Sequence, residues 1–457
     1  MVSLGVSLRA PVIQGLRESA HVAASNAIGR GLVPAQRLQN AFDEAVRSTR
    51  LRAWTRFTLP AVPSLYALMQ GVYQVYLDRG LVLDRDVLTF QKLAAEMTLG
   101  HVFGGVREPI WPLVFVLPVR MFGVHSDIAI RLIGVAGFVF MILAFQRLAR
   151  ELFGRAWSIG GAFALAASPW LIYQSARGLR EETAAGLLLV FCLGLVARRL
   201  TGRRFVLLFG IAGVAGLLRW DTLMIMLAVL FIALIASRPP LAAWIIGPVV
   251  VATLVAPLLI GNYIENGDPI YHSNIHARFF RNIEFHDQPG FLTSAELARD
   301  TYAGPPITWT QYVFRLHSPE ALAGRALKAF GIVPVRLLKD ALFYPDEGHP
   351  QGFVGTLLRA PQALLPFALL LPAVLGGISL LRSHGWPVPI VLGGTIVVYS
   401  PIADLVDHRL LLAVVPLIVL CVIEAARMTQ MFWTQLFQAC VPAAIGPRAE
   451  VVADNVV

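Results

Sequence analysis

The sequence predicts an all-α polytopic membrane protein, one bundle of about ten transmembrane helices. Three observations carry this. The chain has 457 residues, 56% of them hydrophobic and only 14% charged, where soluble domains carry about 25% charged residues. Mean hydropathy is +0.66 over the whole length, which does not suit a soluble domain with a single anchor. Apolar runs recur along the chain, and the loops between them alternate between nearly pure positive charge and mixed charge. The net charge of +10 is not a nucleic-acid signature, because the arginines are scattered through short loops and form no basic stripe. They fit positive-inside signals and contacts to anionic lipids. Cys192, Cys421 and Cys440 are far apart. They read as small hydrophobes, with neither a disulfide framework nor a zinc spacing.

Residues 1–54 are expected to form a cytoplasmic amphipathic segment. They carry Arg9, Arg17, Arg30, Arg37, Arg47, Arg50 and Arg52 but no apolar run long enough to span, which predicts helices on the membrane surface. They are mixed and polar, without a cleavable signal peptide. Residues 55–428 form the transmembrane domain. Its first span is 56–77, starting in the cytoplasm, so the loop 78–125 lies outside. Within that loop, Pro109 to Gly123 is apolar but too short to span, since a span needs roughly 20 residues. It reads as a juxtamembrane or re-entrant helix.

The second span, 127–147, then ends inside at Arg147, Arg150 and Arg155. Spans 156–175, 183–198, 205–218, 222–237 and 241–263 alternate after it. Gly210, Gly213 and Gly216 recur at every third position of 205–218, which favours close helix packing. The segment 264–357 is a long outer loop. In it, Pro319 to Phe343 reads as an interfacial helix carrying Arg325, Lys328, Arg336 and Lys339, with Pro334 as a break or kink. Spans 358–381, 386–402 and 410–426 complete ten, with both termini inside and a cytoplasmic tail at 429–457. Counting Pro109–Gly123 as a span would move Arg147, Arg150, Arg155, Arg198, Arg199, Arg203 and Arg204 outside, against the charge bias.

Opposed charges collect at the outer span ends: Asp84, Asp86 and Glu108; Arg177, Arg180, Glu181 and Glu182; Arg219 and Asp221; Asp404, Asp407 and Arg409. Ionisable groups near membrane depth are costly and are functional candidates. Asp86 is the leading candidate, a carboxylate at the membrane boundary suited to general-base work. Its bland reading is a helix cap for the segment beginning at Val87. Asp84 is the neighbour to weigh beside it. Arg107, Arg180, Arg219 and Arg409 are candidate phosphate ligands, because guanidinium forks suit phosphate oxygens. Their alternative is interfacial anchoring or pairing with Glu108, Glu181, Asp221 and Asp407. Glu181 either orients an arginine, contacts an acceptor or stabilises a helix N-terminus. His272 and His276 have metal-compatible spacing but no evident third ligand, so no metal or other cofactor is assigned. No glycine-rich loop followed by Lys-Ser/Thr occurs.

Several stretches, in order, resemble GT-C glycosyltransferases of the protein-mannosyltransferase and aminoarabinose-transferase type. Asp86-x-x-x-Phe90-x-x-Leu93-Ala94 looks like the family's Asp-x-x-x-Tyr-x-x-Leu-Ala helix, with Phe90 in place of Tyr. Arg107-Glu108-Pro109-Ile110-Trp111-Pro112-Leu113, ending at Phe122-Gly123, is similar to its proline-rich juxtamembrane helix. Gly216-Leu217-Leu218-Arg219, Asn262-Tyr263 with Gly267-Asp268-Pro269, and Arg409-Leu410-Leu411 with Pro416 resemble its later motifs. Arg107 or Lys92 stands in for the family's Lys-Pro motif. The resemblance covers roughly residues 55–427 and implies a GT-C-type bundle with juxtamembrane helices in the first outer loop.

It also implies a function. A sugar would pass, with inversion, from a polyprenyl-phosphate donor to a hydroxyl acceptor on a glycan, lipid or protein, on the periplasmic side of a bacterial inner membrane. Asp86, or Asp84, would take the acceptor proton. Arg219, Arg409 and Arg180 would hold the leaving phosphate, and the 264–357 loop would cover the site. The expected partners are the lipid-linked donor, membrane lipids and the acceptor, and no nucleic acid. A transporter or flippase, or a scaffold of this fold without activity, are the alternatives. A transporter should show midplane charges and repeat symmetry, whereas here charges gather at span ends.

Overall fold

A computed structural model describes residues 59–81, 83–97, 107–196, 200–342, 353–402 and 412–440. The chain divides into two units, Met1–Val62 and Pro63–Val457. Of the first, only residues 59–62 are described, so the surface helices expected within 1–54 lie outside the described residues. Every regular element among the described residues is helical.

The helices in chain order are α1 (Val62–Leu77), α2 (Arg85–Glu96), α3 (Ile110–Phe122), α4 (Asp127–Phe153), α5 (Arg155–Ala166), α6 (Pro169–Ser175), α7 (Glu181–Val196), α8 (Gly202–Leu218) and α9 (Trp220–Ser237). They continue as α10 (Leu241–Asn266), α11 (Tyr271–Phe285), α12 (Ser294–Arg299), α13 (Trp309–Leu316), α14 (Pro319–Leu342), α15 (Phe353–Leu381), α16 (Pro387–Tyr399) and α17 (Val415–Cys440). Short 3-10 turns cover Ser400–Ile402 and Leu412–Val414.

Within the described residues, each of the ten predicted spans overlaps helix. Four stretches are long and apolar enough to cross a membrane unaided: Asp127–Phe153, Trp220–Ser237, Leu241–Asn266 and Leu412–Gln435. The span expected at 156–175 is two helices, not one. Ser168 caps α6, accepting from Leu171 N–H, and Pro169 occupies its first position. That pair is a helix start, so α5 ends at Ala166. The apolar stretch after Pro109 forms α3, only 13 residues long and so about 20 Å. Gly123, at φ +55°, ends it in a conformation that costs other residues steric strain.

Alternating large and small side chains set the packing. α4 lies against α7, α8 against α10, and α15 against α17. Gly186 sits within reach of the Phe140 ring, Gly213 of Leu254 and Gly247 of Phe209. The core is aromatic and branched: Phe138, Phe145, Phe191 and Phe205 are fully buried. The amphipathic α2 buries Val87, Phe90 and Ala94, one face of a helix. α14 runs through Pro334 without a break in assignment. Its Ala329, Val333 and Leu338 are buried while Leu327 and Phe330 face outward, and it packs on α15, α16, α17 and the Ser400–Ile402 turn. The expected interfacial helix is therefore docked on the bundle along one face.

Candidate active site

The site is built where the connection between α1 and α4 meets the ends of α6 to α9. Asp84 caps α2, its carboxylate accepting from Asp86 N–H at 3.0 Å, and it also pairs with Arg177 at 3.2 Å. The cap is thus Asp84, and Asp86 stands in the first turn. Asp86 pairs with Arg107 at 2.7 Å and its side chain stays 36% exposed, against 12% for Asp84. Phe90, one turn further along α2, has the guanidinium of Arg107 at 5.6 Å and that of Arg180 at 5.3 Å from its ring centre. Both distances suit cation–π attraction.

Glu108 lies deeper, 3% exposed. It accepts from Arg180 at 2.6 Å and from Trp220 N–H at 3.2 Å. Burial alone would raise its pKa, but the Arg180 guanidinium overrides this and holds the carboxyl well below the usual carboxylate range. Arg180 also donates to Leu218 O at 2.7 Å, tying the start of α7 to the end of α8. Arg219 follows directly. It grips Asp221 through two bonds, of 3.1 and 2.6 Å, and donates to the Tyr399 hydroxyl at 2.9 Å. Tyr399 in turn donates to Asp221, and Glu181 stands 3.6 Å from Arg219.

The turn that carries Arg177 and Arg180 is held from three sides. Trp111 Nε1 donates to Gly178 O at 3.0 Å. Arg131 donates to Ala176 O at 3.0 Å and to Leu81 O at 2.9 Å. Gly134 of α4 lies so close that a Cβ there would stand 2.2 Å from Ser175 O. Gly178 has φ +77°, which glycine alone adopts without strain. On the other flank, the His272 ring packs edge-on against Trp220, with centroids 5.1 Å apart, and bonds Asn262 at 3.0 Å. Burial pulls the His272 pKa down and pulls that of His276 to about 4, in both cases against the attraction of Glu108. Both imidazoles are therefore neutral at pH 7.

Seven of the eight site residues expected from the sequence, Asp84, Asp86, Arg107, Glu108, Arg180, Glu181 and Arg219, thus join one network. Arg409 lies outside the described residues. Lys92 points elsewhere, 77% exposed and paired with Glu96, so of the two stand-ins Arg107 is the one in the network. Tyr399 escaped sequence reasoning, because a lone tyrosine near the end of an apolar span carries no distinguishing signal. Among the described residues no group of three His, Cys, Asp or Glu is placed to hold a metal; His272 uses Nδ1 for Asn262, and its buried Nε2 has no hydrogen-bond partner among the described residues. Five buried polar atoms of the network residues and of Glu182, next to Glu181, have no hydrogen-bond partner among the described residues: Arg107 Nε, Glu181 Oε2, Arg219 Nη1 and both carboxylate oxygens of Glu182. Buried unsatisfied groups are rare, and here they fall in and beside the network. The array offers several guanidinium groups for an anion's oxygens and one comparatively accessible carboxylate for a proton.

No family model matches the chain, and no curated protein matches it. Among solved structures it is similar to the crystal structure of ArnT from Cupriavidus metallidurans in the apo state, at 13% identity over 81% of this chain and 85% of that one, with a TM-score of 0.31. A likeness at this level assigns neither an activity nor a residue role to this chain.

Proposed function

We propose that the chain is an inverting membrane glycosyltransferase that moves a sugar from a polyprenyl-phosphate donor to a hydroxyl acceptor on the outer, periplasmic side of a bacterial inner membrane. The observation that carries this reading is the joined array of Asp86–Arg107, Glu108–Arg180 and Arg219–Asp221–Tyr399. An apolar groove of about 540 Å³ adds support, walled by Trp220, Leu227, Phe231, Trp244, Val251 and Leu259. It follows α9 from Trp220 to Leu234, about 21 Å at 1.5 Å per residue. Its wall α10 is the least buried of the four long apolar helices. An amphiphile with an anionic head and a linear hydrocarbon chain suits both features together.

In this reading ten spans cross the membrane, with residues 1–54 and 429–457 in the cytoplasm. The acceptor hydroxyl attacks the anomeric carbon from the face opposite the phosphate, and its proton passes to Asp86. The bond from the anomeric carbon to the phosphate oxygen breaks as the new bond forms. Charge growing on the leaving lipid phosphate is met by Arg180, Arg219 and, at the membrane edge, Arg409. Arg107 holds Asp86 until the acceptor arrives. Glu181 and Glu108 orient the arginines.

The test is turnover of polyprenyl-phosphate sugars by purified membranes. Asp86→Asn is expected to lower kcat by about 10²- to 10⁴-fold, the usual contribution of a general base. Asp84→Asn keeps a residue that caps helices well and is expected to retain most activity. Loss only in Asp84→Asn would move the base by two residues. Equal turnover in all three proteins would overturn the role of this loop, and no turnover by the wild type across several donors would overturn the function.

A further inference from the structure

Outside the array, a cluster of interacting charged and polar side chains joins three parts of the 264–342 segment. Glu284, near the end of α11, accepts from the Tyr312 hydroxyl of α13 at 2.6 Å and faces Nε2 of His317 at 3.0 Å. Arg325 of α14 bonds both of its carboxylate oxygens, one at 3.3 Å. Burial would raise the Glu284 pKa, but the Arg325 bond leads the contacts that bring it below the ordinary range. Glu284 is therefore an anion, and Arg325 is fixed by it. The arginine does not stop there. It donates to the carbonyl oxygen of Pro401 at 2.7 Å, and α14 packs on the Ser400–Ile402 turn at this point.

That turn continues α16, where carbonyls lack a partner within the helix and a cation is favoured. Two residues before Pro401 stands Tyr399, 5% exposed, whose hydroxyl bonds both Arg219 and Asp221. Polar contacts thus run from Glu284 through Arg325 to the Pro401 carbonyl, and, two residues back along the backbone, from Tyr399 at the end of α16 to Arg219. We propose that Arg325, held by Glu284, is a positioning residue: it fixes the Ser400–Ile402 turn, and thereby sets Tyr399 and the Arg219–Asp221 pair. The outer segment would then act on the array as well as cover it. The catalytic meaning of this rests on the proposed role of Arg219 toward the leaving phosphate, but the structural meaning does not.

Two measurements test it. The first is amide hydrogen exchange on the purified wild type, Glu284→Gln, Arg325→Lys and Arg325→Met. Exchange across residues 395–402 is expected to rise about tenfold in Arg325→Met and Glu284→Gln, less in Arg325→Lys, and not at all across 186–196. Unchanged exchange at 395–402 would overturn the proposal, as would an equal rise in both segments. Should Arg325→Met fail to fold, the isosteric Glu284→Gln carries the same test. The second is steady-state turnover with a polyprenyl-phosphate sugar. Arg325→Met is expected to lower kcat about tenfold or more with KM for the donor little changed, and Tyr399→Phe added to it should lower kcat no further, because linked residues are non-additive. Fully additive losses would overturn the proposal. Absence of wild-type turnover would instead overturn the glycosyltransferase reading and leave the exchange result to stand.

Discussion

Glu108 anchors the array, because it meets Arg180 and the Trp220 amide in a buried place. Replacing one partner of such a pair leaves the other charge buried and alone, at a cost of about 3–5 kcal/mol. Glu108→Gln is expected to lose about that much in denaturant unfolding in detergent. The double variant Glu108→Gln/Arg180→Met should lose less than Glu108→Gln alone, since it removes the stranded cation; a larger loss would contradict the pairing. His276 supplies a pH dependence. Its folded pKa of about 4 lies below the ordinary 6.5, so the unfolded chain binds more protons between those values and stability rises with pH there. The contribution is complete above about pH 6.5 and lost as pH falls toward 4. Because the ring is only partly buried, the loss is about 2 kcal/mol, readable as a pH-dependent Tm that flattens in His276→Asn. At this scale residue types were legible and pairings only in part: Arg219 grips Asp221, as their spacing suggests. Arg180 looked like a partner for Glu181, one residue away, yet it bonds Glu108, 72 positions earlier. Nothing in local spacing encodes that choice.

Helices were easier to read than the contacts that place them. The spans follow from apolar length, and the short α3 from its proline-rich start and the glycine that ends it. The split between α5 and α6 was hidden because apolarity continues across it, although Ser168-Pro169 is a start signal in its own right. Glycine positions now separate stability from function. A Cβ at Gly134 would meet Ser175 O at 2.2 Å, and one at Gly376 would meet Cys421 O at 1.8 Å. Both are backbone atoms and cannot swing aside, so Gly134→Ala and Gly376→Ala should each lose about 1–3 kcal/mol, the usual cost of overpacking. Their effects on turnover should differ. Gly134 supports the turn bearing Arg177 and Arg180, where a displacement near 1 Å can cost about 10²-fold. Gly376 joins α15 to α17, away from the array. Turnover per folded molecule, normalised by ligand-independent size-exclusion yield, should fall in Gly134→Ala and hold in Gly376→Ala.

For the whole molecule, everything turns on whether Ile110–Phe122 crosses the membrane. At about 20 Å it falls short of a hydrocarbon core of about 30 Å. Trp111, Pro112 and Phe115 are buried on one side while Leu113, Leu117 and Met121 are exposed on the other, as suits a helix lying against the bundle. The array depends on this. Asp86 and Arg107 precede α3 in the chain, and Arg180, Arg219 and Tyr399 follow it, yet they are in contact. With α3 at one surface, they share one side of the membrane, the outer side in the proposed orientation. Single cysteines test the orientation in a Cys440→Ser background, where Cys192 and Cys421 are buried. Gln288 lies in the connection after α11 and Ser237 at the end of α9, and both are exposed. Gln288→Cys is expected to react with a membrane-impermeant maleimide in intact cells, and Ser237→Cys only after permeabilisation. The reverse pattern would mean that the bundle as a whole is inverted, with the array facing the cytoplasm and the arginine-rich loops outside. The positive-inside bias opposes that arrangement at Arg147, Arg150, Arg203 and Arg204 together, which is why two labelling sites suffice to decide it.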